Sequence, residues 1–356
     1  PNETNIKIAN KYFNQVQPLL DKWWDKISTS KNIEKNKEEL EKYRSSLKPG
    51  DITLMGLITE GGQGLATANN GKYIGVKEGT KLAENVKKQR PEKLLLAAEF
   101  CKQNNIKTKQ EAEDCINKLN ELEIRKLFDE IKEKYGRDIF GQGWLFRIVS
   151  DDEIADVDLL TDDDKLNGIT GDKTFVPYDK GDKDGNRWYA PTPYYIDWNR
   201  ENVNFLKENS GKKGEGMPVV RNPQFFFREG FCWTDVSYEI KTRIKQKSIY
   251  DVLSMSLFSK TFVPDFYFVC ILNSNFMSNY HNNFVNSTVH FQINDSRQLP
   301  IIIPTNDELE KYKNIFDRAV KIQKDKFAGK ISVDEVEVKL AEIQKELDKF
   351  VEGMYL

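Results

Sequence analysis

Hydrophobic residues near both ends of the chain recur every three or four positions, the period of an amphipathic helix. Near the N-terminus this pattern predicts one helix over residues 4–27 and a second over 33–46. Over residues 306–356 two such runs flank a glycine-containing turn at 328–330, which predicts an antiparallel helical hairpin. Packing alone would explain both terminal pairs of helices.

A further helical block is predicted at about 81–137, where the apolar positions again keep a spacing of three or four. Thr108 and Glu111 have the spacing of a capping box, and Gly136 is a stop signal. We interpret this block as a structural insertion in a region that otherwise carries strand patterns.

Strand patterns fill the centre of the chain. The segments Ile52–Ile58 and Tyr73–Val76 predict two strands around a glycine-rich loop, in which the Asn-Gly pair at 70–71 signals a hairpin turn. The glycine spacing of this loop does not fit a phosphate-binding P-loop. Residues 175–198 alternate aromatic and turn residues, which predicts a hairpin with an Asp-Gly turn.

The stretch Leu272–Pro304 combines both periods. Its first part, up to residue 284, has helical spacing, and the turn residues that follow end the helix. From Val289 to Ile293 apolar and polar residues alternate, which predicts a strand. Prolines 300 and 304 then favour an extended backbone before them. By periodicity alone, this unit could belong to any α+β core.

One pattern of charged residues indicates nucleic-acid binding by itself. Four cations alternate with uncharged residues in one segment: Lys241, Arg243, Lys245 and Lys247. If the segment is a strand, all four side chains point to one face and form a cationic stripe. A solvated edge strand protected by lysines would give the same pattern.

Composition narrows the classes of protein. The 356 residues are 31% charged and 38% hydrophobic, which suits a soluble globular chain of two or three domains. No apolar run approaches the ~20 residues of a membrane span, and no signal peptide is visible, so we expect a cytoplasmic protein without a membrane partner. The chain begins at Pro1, and we expect it to be a piece of something longer or a processed chain.

Candidate chemistry is sparse. Four widely spaced cysteines without a C-x-x-C pair argue against a zinc ribbon. Only two histidines are present, which argues against hydrolytic or metal chemistry. Eight acids in 151–164 are interpreted as a solvated loop that a duplex would repel. Glu239 and Lys241 fit half of a metal-dependent nuclease motif, but Glu130 and Lys132 fit it equally, which suggests chance. The net charge of −2 requires any DNA surface to be one face of a polarised molecule.

Four segments, at 61–74, 181–198, 221–243 and 272–304, resemble in order the C-terminal target-recognition domain of type IIG restriction–modification enzymes. Those enzymes are fused adenine methyltransferase–endonucleases, and related specificity domains occur in TaqI-like and BREX phage-defence methyltransferases and in type I specificity subunits. The string GLATANNGKYI is similar to the family pattern G-L-x-T-G-x-N-x-x-F, with Ala68 where the family usually has glycine. Residues 221–252 resemble the aromatic-rich strand pair of the family, which implies two strands there.

The resemblance implies an α+β fold. Residues 49–305 would form a β-rich DNA target-recognition domain with the helical insertion at 81–137, flanked by a helical connector at 1–48 and the hairpin at 306–356. The implied function is sequence-specific recognition of double-stranded DNA within a restriction–modification or phage-defence system of bacteria. No cofactor and no catalysis are expected in this chain. S-adenosylmethionine and Mg²⁺ would belong to a fused or separate methyltransferase or endonuclease.

Candidate DNA contacts follow from residue type and predicted loop position, because lysine and arginine suit phosphate or guanine and amides suit adenine. They are Gln63, Thr67, Asn69, Asn70, Lys72, Arg187, Lys212, Lys213, Arg228, Lys241, Arg243, Lys245, Lys247, Asn286 and Gln292. Two alternatives stay open: a metal-dependent nuclease or hydrolase using Glu239 and Lys241, and a protein-interaction scaffold built on the terminal helices.

Overall fold

A computed structural model describes residues 3–136, 138–140, 146–182 and 184–356. The chain forms two compact units. Unit 1 comprises Pro1–Gly64, Lys180–Pro191 and Gln224–Leu356, and unit 2 comprises Leu65–Asp179 and Thr192–Pro223. Both terminal helical segments therefore belong to unit 1, whereas the central helical block belongs to unit 2. Within the described ranges, no helix is long and apolar enough to cross a membrane.

Helices account for most of the regular structure, and a π-helical stretch, Tyr12–Val16, joins the first two of them. The helices are α1 (Glu3–Lys11), α2 (Gln17–Ile27), α3 (Ser30–Lys35), α4 (Lys37–Ser46), α5 (Met55–Ile58), α6 (Asn70–Tyr73), α7 (Lys81–Leu96), α8 (Ala98–Gln103), α9 (Lys109–Asn117), α10 (Glu121–Tyr135), α11 (Asp162–Asn167), α12 (Arg200–Glu208), α13 (Asp265–Leu272), α14 (Asn275–Phe284), α15 (Ile293–Arg297), α16 (Asn306–Phe327) and α17 (Val333–Tyr355).

Each unit contains a four-stranded sheet. The strands are β1 (Ile52–Leu54), β2 (Thr59–Gly62), β3 (Ile74–Lys77), β4 (Arg147–Val149), β5 (Phe175–Asp179), β6 (Tyr194–Asp197), β7 (Arg228–Trp233), β8 (Thr242–Tyr250), β9 (Ser256–Ser259) and β10 (Pro300–Ile302). In unit 1 the order is β2-β9-β7-β8, all antiparallel, and β1 pairs separately with β10. In unit 2 the order is β5-β6-β3-β4, with β3 and β4 parallel. The mixed α+β class expected from the sequence is confirmed.

The core of unit 1 is centred on α13, whose apolar residues are buried on every side of the helix. Phe231 of β7 stacks on Phe268 of α13 with ring centroids 5.1 Å apart. The predicted C-terminal hairpin is confirmed, and its last turn is tied to the β1–β10 pair. Tyr355 donates its hydroxyl hydrogen to the carbonyl of Pro300 at 2.9 Å and accepts from the amide of Ile302 at 3.2 Å.

Unit 2 holds the predicted helical block as α7–α10, which enclose a small apolar core of their own. The Thr108–Glu111 capping box is present, and Gly136 ends α10 with a φ of +108°. Residue 137, the predicted end of the block, lies outside the described residues. The predicted acidic loop is mostly exposed, although Glu153 forms an ion pair with Arg125 at 2.8 Å.

Three local predictions are wrong. Only the first part of Ile52–Ile58 is a strand, because its buried second half forms the helical turn α5. The Asn-Gly pair at 70–71 lies in α6, and β2 pairs with β9 instead of β3. The stretch Val289–Ile293 is not a strand, because Asp295 accepts the amide hydrogen of Gln292 at 2.9 Å and Ile293 is already the first residue of α15.

The hairpin predicted at 175–198 is confirmed as the β5–β6 pair, with Val176 opposite Ile196. Its predicted Asp-Gly turn does not join the two strands, since β5 ends at Asp179 and β6 begins at Tyr194. The aromatic-rich strand pair is likewise confirmed as β7–β8.

Candidate nucleic-acid interface

Two loops of unit 2 that are distant in sequence meet side by side. The amide of Ala66 donates to the carbonyl of Val219 and the amide of Val219 donates back to Ala66, both at 2.9 Å. A further bond from the amide of Gly211 to the carbonyl of Pro218 closes the second loop. We call residues 66–72 and 209–219 the paired loops. They bring together six predicted site residues: Thr67, Asn69, Asn70, Lys72, Lys212 and Lys213.

The first of the paired loops has a fixed turn. The buried Thr67 hydroxyl donates to Asn70 Oδ1 at 2.6 Å and accepts from the amide of Asn69 at 3.3 Å. Ala68 between them has a φ of +53°, a left-handed conformation that costs a residue with a Cβ about 1–2 kcal/mol. This backbone therefore favours glycine at position 68, where the restriction–modification family that the sequence resembles usually has it. Thr67 is a positioning residue, because its hydroxyl fixes the side chain of Asn70.

Lys72 is exposed and lies against aromatic rings. Its ammonium is 5.1 Å from the ring centroids of both Tyr73 and Phe205. Tyr73 is buried, and burial together with the nearby Glu201 carboxylate raises the pKa of its phenol to about 12. Phe205 keeps 36% of its surface exposed. The result is a lysine held at the surface beside an accessible ring, an arrangement suited to a phosphate next to a base.

Lys212 and Lys213 are both exposed in the second of the paired loops. The ammonium of Lys212 donates to Asn209 Oδ1 at 3.0 Å, which holds one lysine against its own loop. Glu215 lies in the same loop and offsets part of the positive charge. The paired loops thus carry three exposed lysines and two half-buried asparagines. Lysines of this kind can bind phosphates, and asparagine amides can form hydrogen bonds with base edges.

The prediction that four cations on β8 form a solvent-facing stripe is wrong. Arg243 and Lys245 keep only 2% and 0% of their surface exposed, whereas Lys247 is exposed and Lys241 half-buried. The register moves from Gly230 opposite Lys245 to Arg228 opposite Ser248, so β8 carries one extra residue there. Arg243 and Lys245 precede this bulge and lie on the same buried face, whereas the added residue breaks the alternation beyond them and leaves Lys247 exposed.

Lys245 is held by the backbone. Its ammonium donates to the carbonyls of Arg228, Gln246 and Ser248, each at 3.0 Å. It also lies 5.2 Å from the ring centroid of Tyr250. All three ammonium hydrogens have acceptors, which stabilises the buried charge and gives Lys245 a structural role at the bulge.

Arg228 and Lys247 are the predicted cations that the bulge leaves exposed. The Arg228 guanidinium lies over Phe225 and Phe258, at 5.3 and 5.6 Å from the ring centroids. Gln246, exposed beside Lys247, is an amide that the sequence did not single out, because nothing in the sequence marks the bulge that exposes it. Gln63, which follows β2, is exposed as well.

Arg187 does not face open solvent. Its guanidinium donates to Gln344 Oε1 at 2.9 Å and to Glu239 Oε2 at 2.5 Å. Burial lowers the pKa of this guanidinium, against the opposing effects of Glu239 and Asp348. The carboxylate of Glu239 is therefore already engaged, and nothing in the geometry favours the nuclease alternative. Among the residues described, no three histidines, cysteines or carboxylates lie close enough to hold a metal ion.

Asn286 and Gln292 lie in the irregular segment before α15. The Asn286 amide group donates to the carbonyl of His290 at 3.3 Å and to Asp295 Oδ2 at 3.1 Å, and its oxygen accepts from the amide of Thr288 at 2.9 Å. Asn286 is thus occupied in shaping its own loop, whereas the side chain of Gln292 is exposed.

No model of a known protein family matches the chain, and no curated protein matches its sequence significantly. Function therefore has to be inferred from the residues themselves and from their arrangement.

Proposed function

We propose that this chain recognises double-stranded DNA in a sequence-specific manner, as the specificity portion of a type IIG-like restriction–modification or phage-defence adenine methyltransferase. The observation that carries the proposal is the convergence of the paired loops. Lys72 and Lys212–Lys213, about 140 positions apart in sequence, lie in two loops that the Ala66–Val219 bridge joins. The resemblance of four segments to target-recognition domains points the same way.

The residues of the paired loops divide into two roles. Lys72, Lys212 and Lys213 contact phosphates, which sets register and carries no sequence information. Asn69 and Asn70 present amides to base edges, and an amide pairs best with adenine in the major groove. In unit 1, exposed Arg228 and Lys247 are further candidates for phosphate contacts.

Chemistry on the DNA would come from a methyltransferase or endonuclease that is fused to this chain or binds it. That partner would hold S-adenosylmethionine and Mg²⁺ and modify an adenine removed from the base stack. The role of this chain is to place that partner at its target.

Selection from a random duplex library tests the proposal directly. We expect an enriched motif, and we expect Asn69→Ala to relax one position of it, since a bidentate amide contact discriminates by about 1–3 kcal/mol. Asn117→Ala, an exposed asparagine in the helical block, is the matched control and should leave the motif intact. Selection that enriches no motif at low or moderate salt would contradict sequence-specific recognition.

A further inference from the structure

Unit 1 contains a cavity of about 330 Å³ that none of the roles above uses. The turn 185–188 forms one side of it, and Gln323 of α16 with Leu340 and Ala341 of α17 form the other. Its volume lies in the range of small-molecule sites, and its lining mixes apolar side chains with a few polar groups, as such sites do.

Gln323 lines this cavity and carries an acceptor without a partner. The residue is only 3% exposed, and its Nε2 donates to the carbonyl of Arg187 at 3.0 Å, which fixes the orientation of the amide. Its Oε1 is buried and has no hydrogen-bond partner in the described parts of the chain. A buried acceptor without a donor is costly, and a ligand N–H or O–H group that reached it would supply the missing donor.

Trp188 gives a second, independent indication. Its φ is +73°, which is a strained conformation for a bulky residue, and the amide of Tyr189 bonds back to the carbonyl of Arg187 at 2.8 Å. The strand β8 holds this turn in place, since Trp188 N donates to Thr242 O at 2.8 Å. Strain of this kind persists where the surrounding structure enforces it, and it is common at ligand sites.

Two lysines stand at the edge of the cavity. Lys241 Nζ lies close to Gly185, since a Cβ added to Gly185 would be 3.3 Å from that nitrogen. Within the described residues, the Lys241 ammonium makes no hydrogen bond or ion pair. Lys326 Nζ donates to Asn186 Oδ1 at 2.8 Å. The nearby carboxylate of Asp182 accepts from the backbone and side chain of Asn186, so it is already hydrogen-bonded.

We propose that this cavity binds a nucleotide. A base N–H donates to Gln323 Oε1, the base occupies the space between Trp188 and Leu340, and the 5′-phosphate meets Lys241 and Lys326. The nucleotide is either free in solution or swung out of a DNA strand, since both present the same chemistry. This site does not depend on the paired loops, which lie in unit 2.

Calorimetric titration of the full chain with adenosine monophosphate tests the site. We expect binding that Gln323→Leu weakens about tenfold and that Lys241→Ala weakens severalfold. Ala341→Phe, which fills the cavity from an exposed position on α17, should abolish it. Val338→Phe adds the same ring at an exposed position that does not line the cavity and should bind as the unaltered chain does.

Two results would overturn the site. The first is the absence of binding at millimolar nucleotide. The second is binding that persists in Ala341→Phe or that inorganic phosphate reproduces, since the lysines alone would then account for it. A Gln323→Leu chain that fails to fold leaves the Ala341→Phe comparison decisive.

A duplex containing 2-aminopurine separates the two sources, because this base fluoresces when it leaves the stack. A fluorescence rise that Ala341→Phe removes would identify a nucleotide of the strand. Binding of adenosine monophosphate without that rise would identify a free nucleotide. The triple variant Lys72→Ala, Lys212→Ala, Lys213→Ala should retain nucleotide binding, so failure of the DNA interface and failure of this cavity are distinguishable.

Discussion

The paired loops of unit 2 and the strand β8 of unit 1 both carry closely spaced cations, but the two regions use them differently. In the paired loops the lysines remain exposed. On β8 Lys245 lies with Arg243 on the buried face, where three carbonyls accept hydrogen bonds from its ammonium. Closely spaced cations in a sequence can therefore be exposed on one element and buried on another, according to which face the backbone presents to solvent.

The largest effect should come from removing the buried ammonium. Lys245→Ala leaves three carbonyls without their donor and opens a void, so we expect a loss of about 3 kcal/mol in the free energy of unfolding. Lys247→Ala, two residues along and exposed, should change it by less than about 0.5 kcal/mol. Urea denaturation of both variants measures the difference, and equal stabilities would remove the contrast between the two kinds of lysine.

The surroundings of the bulge should also make unit 1 sensitive to pH. Burial raises the pKa of Asp265 to about 6, and a bond from the amide of Ser259 and the charge of Arg228 only partly oppose it. Because this folded pKa lies above the unfolded value near 3.9, stability should fall as pH rises from about 4 to 6, by roughly 2 kcal/mol.

Asp265→Asn should remove that part of the pH dependence and make the protein more stable at pH 7. Thermal unfolding between pH 4 and 7 measures it. The same slope in both proteins would show that Asp265 is not the group responsible. The exposed Asp307, at the start of α16, gives a matched Asp→Asn control.

A smaller effect concerns the turn that fixes Asn70 in the paired loops. Thr67→Val keeps the shape of the side chain but removes its hydrogen bond to Asn70 Oδ1, so we expect a loss of about 1 kcal/mol. If Asn70 reads a base, this variant should also blur the selected DNA motif, although Thr67 itself is buried. Thr170→Val, at an exposed position of the same unit, should change neither property.

The smallest expected change is a gain. Ala68→Gly relieves the left-handed conformation at φ +53° and should raise the free energy of unfolding by about 0.5–1 kcal/mol. Ala341→Gly, at an exposed position in the interior of α17, should lower it by a similar amount, since glycine disfavours a helix interior. A loss of stability in Ala68→Gly would mean that the turn does not have this conformation.

Local sequence signals predicted much of the fold. The terminal helices and the helical block follow from apolar spacing and caps such as the Thr108–Glu111 box, which act over a few residues. The β7–β8 pair was expected from the resemblance. The burial of Lys245 leaves no signal, because alternation in the sequence does not show which face of a strand is buried, and the bulge that follows it leaves none either. The bridge between Ala66 and Val219 is equally hidden, since it joins positions far apart in the chain.

The sequence therefore predicted the types of residue in the candidate site better than it predicted where those residues lie. The paired loops gather six of the proposed residues, whereas Arg187 and Asn286 are bound to protein groups and Arg243 and Lys245 are buried. The cavity beside Gln323 could have been suspected from one sign only, a glutamine at a core position of the α16 seam.

The most direct measurement is the salt dependence of duplex binding by the unaltered chain and by the variant Lys72→Ala, Lys212→Ala, Lys213→Ala. Each phosphate contact contributes about 0.9 to the slope of log affinity against log salt, so the variant should flatten that slope by roughly 3. A control with exposed lysines of the helical block replaced, Lys102→Ala, Lys107→Ala, Lys118→Ala, should keep the original slope. If both triple variants show the same slope as the unaltered chain, the paired loops do not bind DNA.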